Sequence, residues 1–304
     1  MEIIEIQDYE EKRFNTAIAL GNFDGIHIAH QELISTMVKD ANENNLKPSI
    51  LLFDLHTKAV LEGKSPKMLT SEEKKSQILK DLDVEIIYKI NFNEDLRKLS
   101  PEEFVTNILI HKLNIKSVTI GFDYRFGYKA SGTAEDLEKF GKKYGFKVIV
   151  IDPIYKDDIV SSTKIRDFLS KGNISNANKM LGRNYSIMWK VITGKQRGTG
   201  LGFPTANLEI ENNYLIPKIG IYKTNIIIDG KAYLGATSIG KNPTFEDEDL
   251  LKIETHIIDF NGNIYGKTIE LEFIKYLRDE IKFKSLTDLK EQIKKDVNII
   301  KSGH

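Results

Sequence analysis

The chain of 304 residues contains no cysteine, which excludes disulfides and cysteine-ligated metal sites and favours a reducing, cytoplasmic location. No apolar run approaches the length that crosses a bilayer, and Met1–Ile6 lacks the basic start and apolar core of a signal peptide. Basic and acidic residues are equal at 44 each, so no excess positive charge predicts nucleic-acid binding. We therefore expect neither a membrane nor a nucleic acid as partner. Composition leaves the oligomeric state open.

The first half of the chain alternates between apolar runs and segments that carry helix start signals. The runs, rich in β-branched residues, are Ala17–Leu20, Ser49–Phe53, Val84–Ile90, Ser117–Phe122 and Lys147–Ile151. Helix starts are indicated at Thr70–Glu73, at Ser100–Glu103 and at Thr133. Strands that are apolar on both faces and separated by helices predict a doubly wound parallel sheet, which binds ligands at the carboxyl ends of its strands.

The pattern changes near Gly182, where we place the boundary between domains 1–182 and 183–304. Beyond it, Asp229-Gly230 and Asn261-Gly262 each follow a strand-like run, and both dipeptides favour two-residue hairpin turns. We therefore predict an antiparallel structure, a β-barrel or a strongly curled sheet. A final helix, expected to pack on the barrel, carries an apolar stripe of Leu286, Leu289, Ile293, Val297 and Ile300.

The stretch Gly21–His30 lies between a predicted strand and a predicted helix. Its glycines permit a tight bend, and the free N–H groups at the start of a helix attract anions. His27 and His30 are three residues apart and would lie together at this positive end, an arrangement suited to nucleotide phosphates. A solvated helix start has the same spacing, so both interpretations stay open. A zinc site is disfavoured because a third ligand has no local candidate.

A second hydroxyl-rich helix start follows the last strand of the first domain. Ser161, Ser162 and Thr163 precede Arg166, which lies one helical turn further on. These groups could donate several hydrogen bonds to phosphate oxygens. Ordinary helix capping by serine explains the same residues equally well.

A glycine-rich segment, Gly194–Gly202, contains four glycines and two basic residues. It could fold its amides around phosphates, although a flexible surface loop is the alternative, and neither dinucleotide nor Walker spacing is present. Thr205 and Asn207 follow, and their neutral oxygens could join phosphate oxygens around Mg²⁺. Gly235–Lys241 resembles a P-loop, but Asn242-Pro243 follows where a Ser or Thr and a helix are required, so we reject that interpretation.

Glu254 lies in a run whose alternation places it on the face opposite Ile253 and Thr255. A carboxylate on a barrel strand is usually solvated, and the spacing alone favours that interpretation. As a functional group, Glu254 would be a general base for a hydroxyl.

Several motifs occur in order over nearly the whole chain. They are Gly21–His27 with His30-Gln31, Gly121–Gly127, Ser161–Arg166, Leu181–Arg183, Gly202–Asn207, Ile253–His256, and Arg278–Glu280 with Phe283. Together they resemble the prokaryotic bifunctional riboflavin kinase/FMN adenylyltransferase (FAD synthetase) family. The resemblance implies a nucleotidyltransferase-type α/β domain followed by a six-stranded kinase barrel. It also implies that the barrel uses ATP to convert riboflavin to FMN, and that the first domain transfers AMP from ATP to FMN, giving FAD and pyrophosphate.

The resemblance assigns roles in both domains. In the kinase, Glu254 would accept the proton of the attacking hydroxyl, Thr205 and Asn207 would hold Mg²⁺, and Arg278 would bind the flavin. Its phosphate loop would include Gly194 and Gly202. In the adenylyltransferase, His27 and His30 would bind the phosphates and stabilise the charge that develops at the α-phosphorus. The remaining residues are those of the ATP-binding turn (Gly21, Phe23, Asp24, Gly25), those that hold pyrophosphate (Ser161, Ser162, Thr163, Arg166) and those beside the substrates (Asp123, Arg125).

Departures from the family pattern fall in the first domain. Ala29 replaces a usual glycine, Thr133 replaces a usual aspartate, and Asp54 and His56 are kept without the prolines that normally stand at 55 and 57. Two alternatives therefore accompany the bifunctional interpretation. One is a riboflavin kinase with a weakened or inactive adenylyltransferase, and the other is a non-catalytic flavin-binding regulator.

Overall fold

The computed structural model describes residues 1–6, 14–53, 66–193, 202–210, 213–241 and 251–302. The chain divides into two compact units. The first comprises Met1–Lys67 and Glu72–Val160, and the second comprises Met68–Ser71 and Ser161–His304. The domain boundary between 182 and 183 stays a prediction. Within the described part, no helix combines the length and the apolar character that crossing a membrane requires.

The first unit contains a six-stranded sheet in which every neighbouring pair is parallel. The strands are β1 Glu2–Glu5, β2 Thr16–Leu20, β3 Lys47–Phe53, β4 Ile86–Ile90, β5 Ile115–Gly121 and β6 Lys147–Ile151, in the order β1-β4-β3-β2-β5-β6. The five predicted strands are confirmed. Strand β1 was not predicted, because it is an edge strand with a single buried residue, Ile4, and lacks a continuous apolar run.

Helices cover both faces of this sheet. They are α1 Ile28–Glu43, α2 Glu72–Asp81, α3 Glu94–Lys98, α4 Pro101–Glu103 with a following π-helix Phe104–Lys112, and α5 Ala134–Tyr144. Along β2, Ile18 packs in one apolar cluster and Ala19 in the other, as a sheet covered on both sides requires. The helix starts predicted at Ser100 and Thr133 are confirmed, and each forms a capping box. Thr133, a departure from the family pattern, thus has a local role as the N-cap of α5.

The second unit contains a closed barrel, as predicted, with antiparallel pairing throughout. Its strands are β7 Tyr185–Ile192, β8 Thr205–Leu208, β9 Gly220–Ile228, β10 Lys231–Lys241, β11 Leu251–Ile257 and β12 Thr268–Arg278, in the order β10-β11-β8-β7-β12-β9. Helices α6 Ser162–Ser170 and α7 Ile174–Leu181 precede the barrel, and α8 Leu286–Ser302 follows it. Gly235–Lys241 lies within β10, which agrees with the rejection of a P-loop.

The two predicted hairpins have different outcomes. Asp229 and Gly230 join β9 to β10 with positive φ at both residues, 48° and 78°, as a type I′ turn requires. The hairpin predicted at Asn261-Gly262 is wrong. Strand β11 pairs with β8 and β10, whereas β12 pairs with β7 and β9. The segment between them therefore connects strands that are not neighbours.

The C-terminal helix contacts β10 of the barrel, and four of the five residues of its predicted apolar stripe are at least half-buried. Ser285 caps it by accepting a hydrogen bond from the backbone N–H of Asp288 at 3.1 Å. Ile300 is buried, Leu289, Ile293 and Val297 are half-buried, and Leu286 at the exposed first turn departs from the prediction with 70% exposure. The helix also buries Asp296, which no apolar pattern predicts.

Two candidate active sites

The Gly21–His30 turn follows β2 at the carboxyl edge of the parallel sheet. Strand β2 lies between β3 and β5, where the direction of chain progression reverses, and ligands bind at such a switch point. Phe23, Gly25 and Ile26 have φ values of 45°, 81° and 36°. The side chains of Phe23 and Ile26 are fully buried. Their packing therefore stabilises a positive-φ backbone conformation that bulky residues rarely adopt.

His27 and His30 lie together at the start of α1, as predicted. Their rings stack with centroids 3.7 Å apart and an angle of 17° between planes. His27 is the N-cap residue, and its Nδ1 accepts a hydrogen bond from the backbone N–H of His30 at 3.3 Å. Because Nδ1 is an acceptor here, the neutral His27 ring carries its proton on Nε2. That nitrogen is then a donor suited to a phosphate oxygen.

The environment of His30 favours its neutral form. Burial, followed by the nearby His27 ring, lowers the pKa of His30 well below its usual value of 6.5. Its Nδ1 is buried, and no residue of the described part hydrogen bonds to it. The ring of Phe23 contacts the His30 ring edge-on at 5.2 Å and fixes its orientation. A bound polyanion would offset the cost of a positive charge at this stack.

Lowering the pH is expected to reduce the free energy of unfolding of the first unit. The pKa of His30 is lower in the folded protein than the unfolded value of 6.5, so stability falls as the pH drops from that value toward the folded pKa. His30→Phe keeps an aromatic ring against His27 and Phe23 but cannot titrate, so its stability should depend less on pH. Urea denaturation followed by circular dichroism between about pH 7.5 and 5 tests this. An equally steep pH dependence in the variant would contradict it.

The turn after β5 lies beside the histidine turn, because Ala19 of β2 pairs with Thr119 of β5. Asp123 and Arg125 are exposed there, and a Cβ on Gly121 would lie 3.3 Å from the Asp123 carboxylate. Of the other predicted residues in the histidine turn, Asp24 is buried with 6% exposure. The structure therefore brings two of the predicted segments to adjacent strand ends.

The segment starting at Ser161 belongs to the second unit. Ser161 is the N-cap of α6, with its Oγ accepting from the backbone N–H of Lys164 at 3.3 Å. The capping interpretation is therefore confirmed for this residue. Ser162, Thr163 and Arg166 lie in the first turns of the same helix, and their role in phosphate binding stays a prediction.

The barrel brings three predicted kinase residues together. Glu254 of β11 lies directly opposite Asn207 of β8, and Thr205 is two residues from Asn207 on the same strand. Residues opposite each other in an antiparallel pair share a face of the sheet, with Cβ atoms about 5 Å apart. Thr205, Asn207 and Glu254 therefore share one face of the barrel wall. The alternate residues Ile253 and Thr255 are fully buried on the other face.

An ion pair holds one of the two carboxylate oxygens of Glu254. Lys252 lies two residues earlier on the same face, and its Nζ is 2.7 Å from Oε1 of Glu254. On the other side, Asn207 is 6% exposed, and no hydrogen bond joins its amide group to another residue within the described ranges. Glu254 thus keeps Oε2 for a reacting group, and Asn207 keeps its amide oxygen for a ligand.

The donor set of Thr205 and Asn207 fits Mg²⁺, which prefers oxygen ligands and commonly takes several of them from nucleotide phosphates. Across the residues that the structure describes, no group of three or more His, Cys, Asp or Glu side chains could hold a metal ion. Gly202 adopts a φ of 83° just before this strand. Gly194, Asp54 and His56 lie outside the described residues.

Arg278, predicted to bind the flavin, forms a two-point ion pair that the sequence did not reveal. Its Nε and Nη2 atoms donate to the carboxylate of Asp296 on α8 at 3.1 and 2.6 Å, and its Nη1 donates to the carbonyl of Asp279. Gln292 also donates to Asp296 at 3.0 Å. The only sequence signal was an acidic residue that interrupts the apolar spacing of the final helix. The role of Arg278 in flavin binding stays a prediction.

Replacing Asp296 by Asn is expected to lower the free energy of unfolding of the second unit by about 3 kcal/mol, because it leaves the Arg278 charge without its partner. The double variant Arg278→Met/Asp296→Leu should recover most of that loss, since an apolar pair needs no compensating charge. Trp189, the one tryptophan of the chain and 1% exposed inside the barrel, reports the unfolding by fluorescence in urea. Wild-type stability in Asp296→Asn would disprove the structural role of the pair.

Comparisons with known proteins agree with this architecture. Residues 9–164 match the family model described as FAD synthetase, and residues 181–303 match the one described as riboflavin kinase. The bifunctional riboflavin kinase/FMN adenylyltransferase of Listeria monocytogenes is 39% identical over 93% of this chain and 90% of its own. The protein of that name from Buchnera aphidicola subsp. Schizaphis graminum is 40% identical over 97% of this chain and 96% of its own.

A solved structure from Streptococcus pneumoniae, named a macrolide-efflux protein, is also similar. It is 32% identical, covers 98% of both chains and superimposes with a TM-score of 0.90. The two family models together span nearly the whole chain, and the full-length relatives carry both activities in their names. The chain therefore belongs to the bifunctional riboflavin kinase/FMN adenylyltransferase family.

Proposed function

We propose that the barrel phosphorylates riboflavin and that the parallel-sheet unit converts the resulting FMN to FAD. The observation that carries the kinase assignment is the row formed by Glu254 and Asn207 across β11 and β8, with Thr205 beside it. A binding protein without chemistry needs no carboxylate with a free oxygen at this position. Membership of the family supports both activities.

In the kinase reaction, the oxygen of the riboflavin 5′-hydroxyl forms a bond to the γ-phosphorus of ATP. Glu254 accepts the proton of that hydroxyl as the bond forms. The bond between that phosphorus and the bridging oxygen breaks, and ADP leaves. Thr205 and Asn207 would hold Mg²⁺, which when bound neutralises charge on the phosphates. Most of the catalysis of phosphoryl transfer comes from such positioning and charge stabilisation.

In the adenylyl transfer, a phosphate oxygen of FMN attacks the α-phosphorus of a second ATP, and pyrophosphate leaves. The attacking phosphate is already ionised near neutral pH, so no general base is needed. His27 and His30 bind the phosphates and stabilise the charge that develops at the α-phosphorus. The N–H groups at the start of α1 add to this positive environment.

The departures in the first domain do not remove the histidine arrangement. Ala29 is the second residue of α1, and both imidazoles on either side of it remain stacked. The motif is therefore compatible with retained adenylyl transfer, which we favour over a kinase with an inactive first domain. Because both reactions consume ATP, we also propose a cytoplasmic location.

One assay separates the three alternatives. The protein is incubated with Mg²⁺, ATP and either riboflavin or FMN, and the flavins are resolved by chromatography. We expect FMN and FAD from riboflavin, and FAD from FMN. FMN without FAD in both reactions would indicate a kinase with an inactive adenylyltransferase. No conversion of either substrate would leave only the flavin-binding regulator.

A further inference from the structure

Inside the barrel, three threonine hydroxyls form a hydrogen-bonded chain. The Oγ1 atoms of Thr224 and Thr237 are 2.8 Å apart, and Thr237 donates to Thr255 at 2.9 Å. Oγ1 of Thr224 also lies 3.1 Å from the carbonyl oxygen of Gly235, so its single proton is shared between that carbonyl and Thr237. All three threonines are fully buried. This hydroxyl chain crosses β9, β10 and β11.

This hydroxyl chain lies directly behind the candidate kinase site. On the inner face, Thr255 lies between Thr237 of β10 and Ala206 of β8. On the outer face, the preceding residue Glu254 lies between Ser238 and Asn207. The Thr237–Thr255 hydrogen bond thus joins the two strands at the residues next to Ser238 and Glu254.

We propose that the hydroxyl chain, and Thr237 at its centre, positions Glu254 for phosphoryl transfer. Hydrogen bonds restrict both distance and angle, whereas packed methyl groups tolerate small displacements between strands. Valine would fill the same space in a β-strand without a polar group to satisfy, so stability alone does not require threonine here. A general base must be held within a fraction of an ångström of its reactive position. Positioning of Glu254 would therefore explain why hydroxyl groups are present here.

The neighbouring strand strengthens this interpretation. Strand β8, which carries Thr205 and Asn207, has four residues and pairs with β7 at two positions only. All four of its residues pair with β11. A displacement of β11 would therefore move Asn207 together with Glu254 relative to β10. The hydroxyl chain holds this pair of strands against β10.

The inference rests on the proposed kinase activity, and Thr237→Val tests it. We expect kcat for FMN formation to fall about tenfold, with KM for riboflavin and for ATP changed less than about twofold. Thr237→Ser keeps the hydroxyl and should restore kcat. Ile239→Val is the matched control, because Ile239 is also fully buried on β10 and lies opposite Ile253, the other neighbour of Glu254. Its kcat should stay close to that of the wild type.

Two further measurements separate positioning from folding. Conversion of FMN to FAD by the same samples uses the histidine site of the other unit rather than Glu254, and its rate should not change. The triple variant Thr224→Val/Thr237→Val/Thr255→Val leaves no unsatisfied hydroxyl, so its thermal midpoint should equal or exceed that of the wild type while kcat stays low. Wild-type kcat in Thr237→Val or in the triple variant would overturn the inference alone. Wild-type protein that forms no FMN would overturn the proposed kinase function as well.

Discussion

Replacing Glu254 by Gln is expected to slow FMN formation by about 10²- to 10⁴-fold, the usual contribution of a general base. Glutamine keeps the length of the side chain and its place opposite Asn207 but cannot accept the hydroxyl proton as a carboxylate does. The loss should fall on kcat, because the carboxylate acts on a proton that moves only during the reaction. Conversion of FMN to FAD should stay at the wild-type rate, since the two histidines proposed for that reaction belong to the parallel-sheet unit.

The substitution also removes the ion pair with Lys252, so a control must separate the two effects. Lys252→Met removes the ammonium group that lies 2.7 Å from Oε1 and leaves the carboxylate intact. Both side chains are about one-third exposed, and such a pair contributes at most about 1 kcal/mol, or about fivefold in rate. Steady-state rates measured separately with riboflavin and with FMN provide the test. Equal losses of both activities in Glu254→Gln would contradict separate sites.

His27→Asn is expected to slow the conversion of FMN to FAD by about 10²- to 10³-fold, the effect of losing one donor to developing charge. Asparagine can replace His27 as the N-cap of α1, because its side-chain oxygen can accept from the backbone N–H of His30 as Nδ1 of His27 does. It lacks the Nε2–H group that would reach the phosphates. His27→Ala loses both functions, so it should also lower stability by about 1 kcal/mol.

The comparison of these two variants separates catalysis from capping. If His27 only caps the helix, His27→Asn should retain adenylyl transfer and His27→Ala should lose part of it through instability. If His27 binds the phosphates, both variants should lose the activity to a similar extent. FMN formation from riboflavin serves as the control for the intact barrel. A wild-type rate of FAD formation in His27→Asn would reject the phosphate role.

Local patterns in the sequence predicted most of the first unit. Five of its six strands and the caps at Ser100 and Thr133 depend on residues that are close in the chain. The meeting of His27 and His30 depends on helical spacing alone, and their position at the carboxyl edge follows from the strand before them. Strand β1 was not predicted, because an edge strand with one buried residue has no continuous apolar run.

In the second unit, the sequence by itself determined the antiparallel character, the turn at Asp229-Gly230 and the apolar stripe of the final helix. The tertiary structure decided which strands became neighbours. Because β11 and β12 are not neighbours, Asn261-Gly262 does not form the predicted hairpin. It also joined Arg278 to Asp296 and aligned the hydroxyls of Thr224, Thr237 and Thr255 behind Glu254. The physical reason is that periodicity and turn preference act between near neighbours, whereas strand order and buried polar pairs depend on how the whole barrel closes.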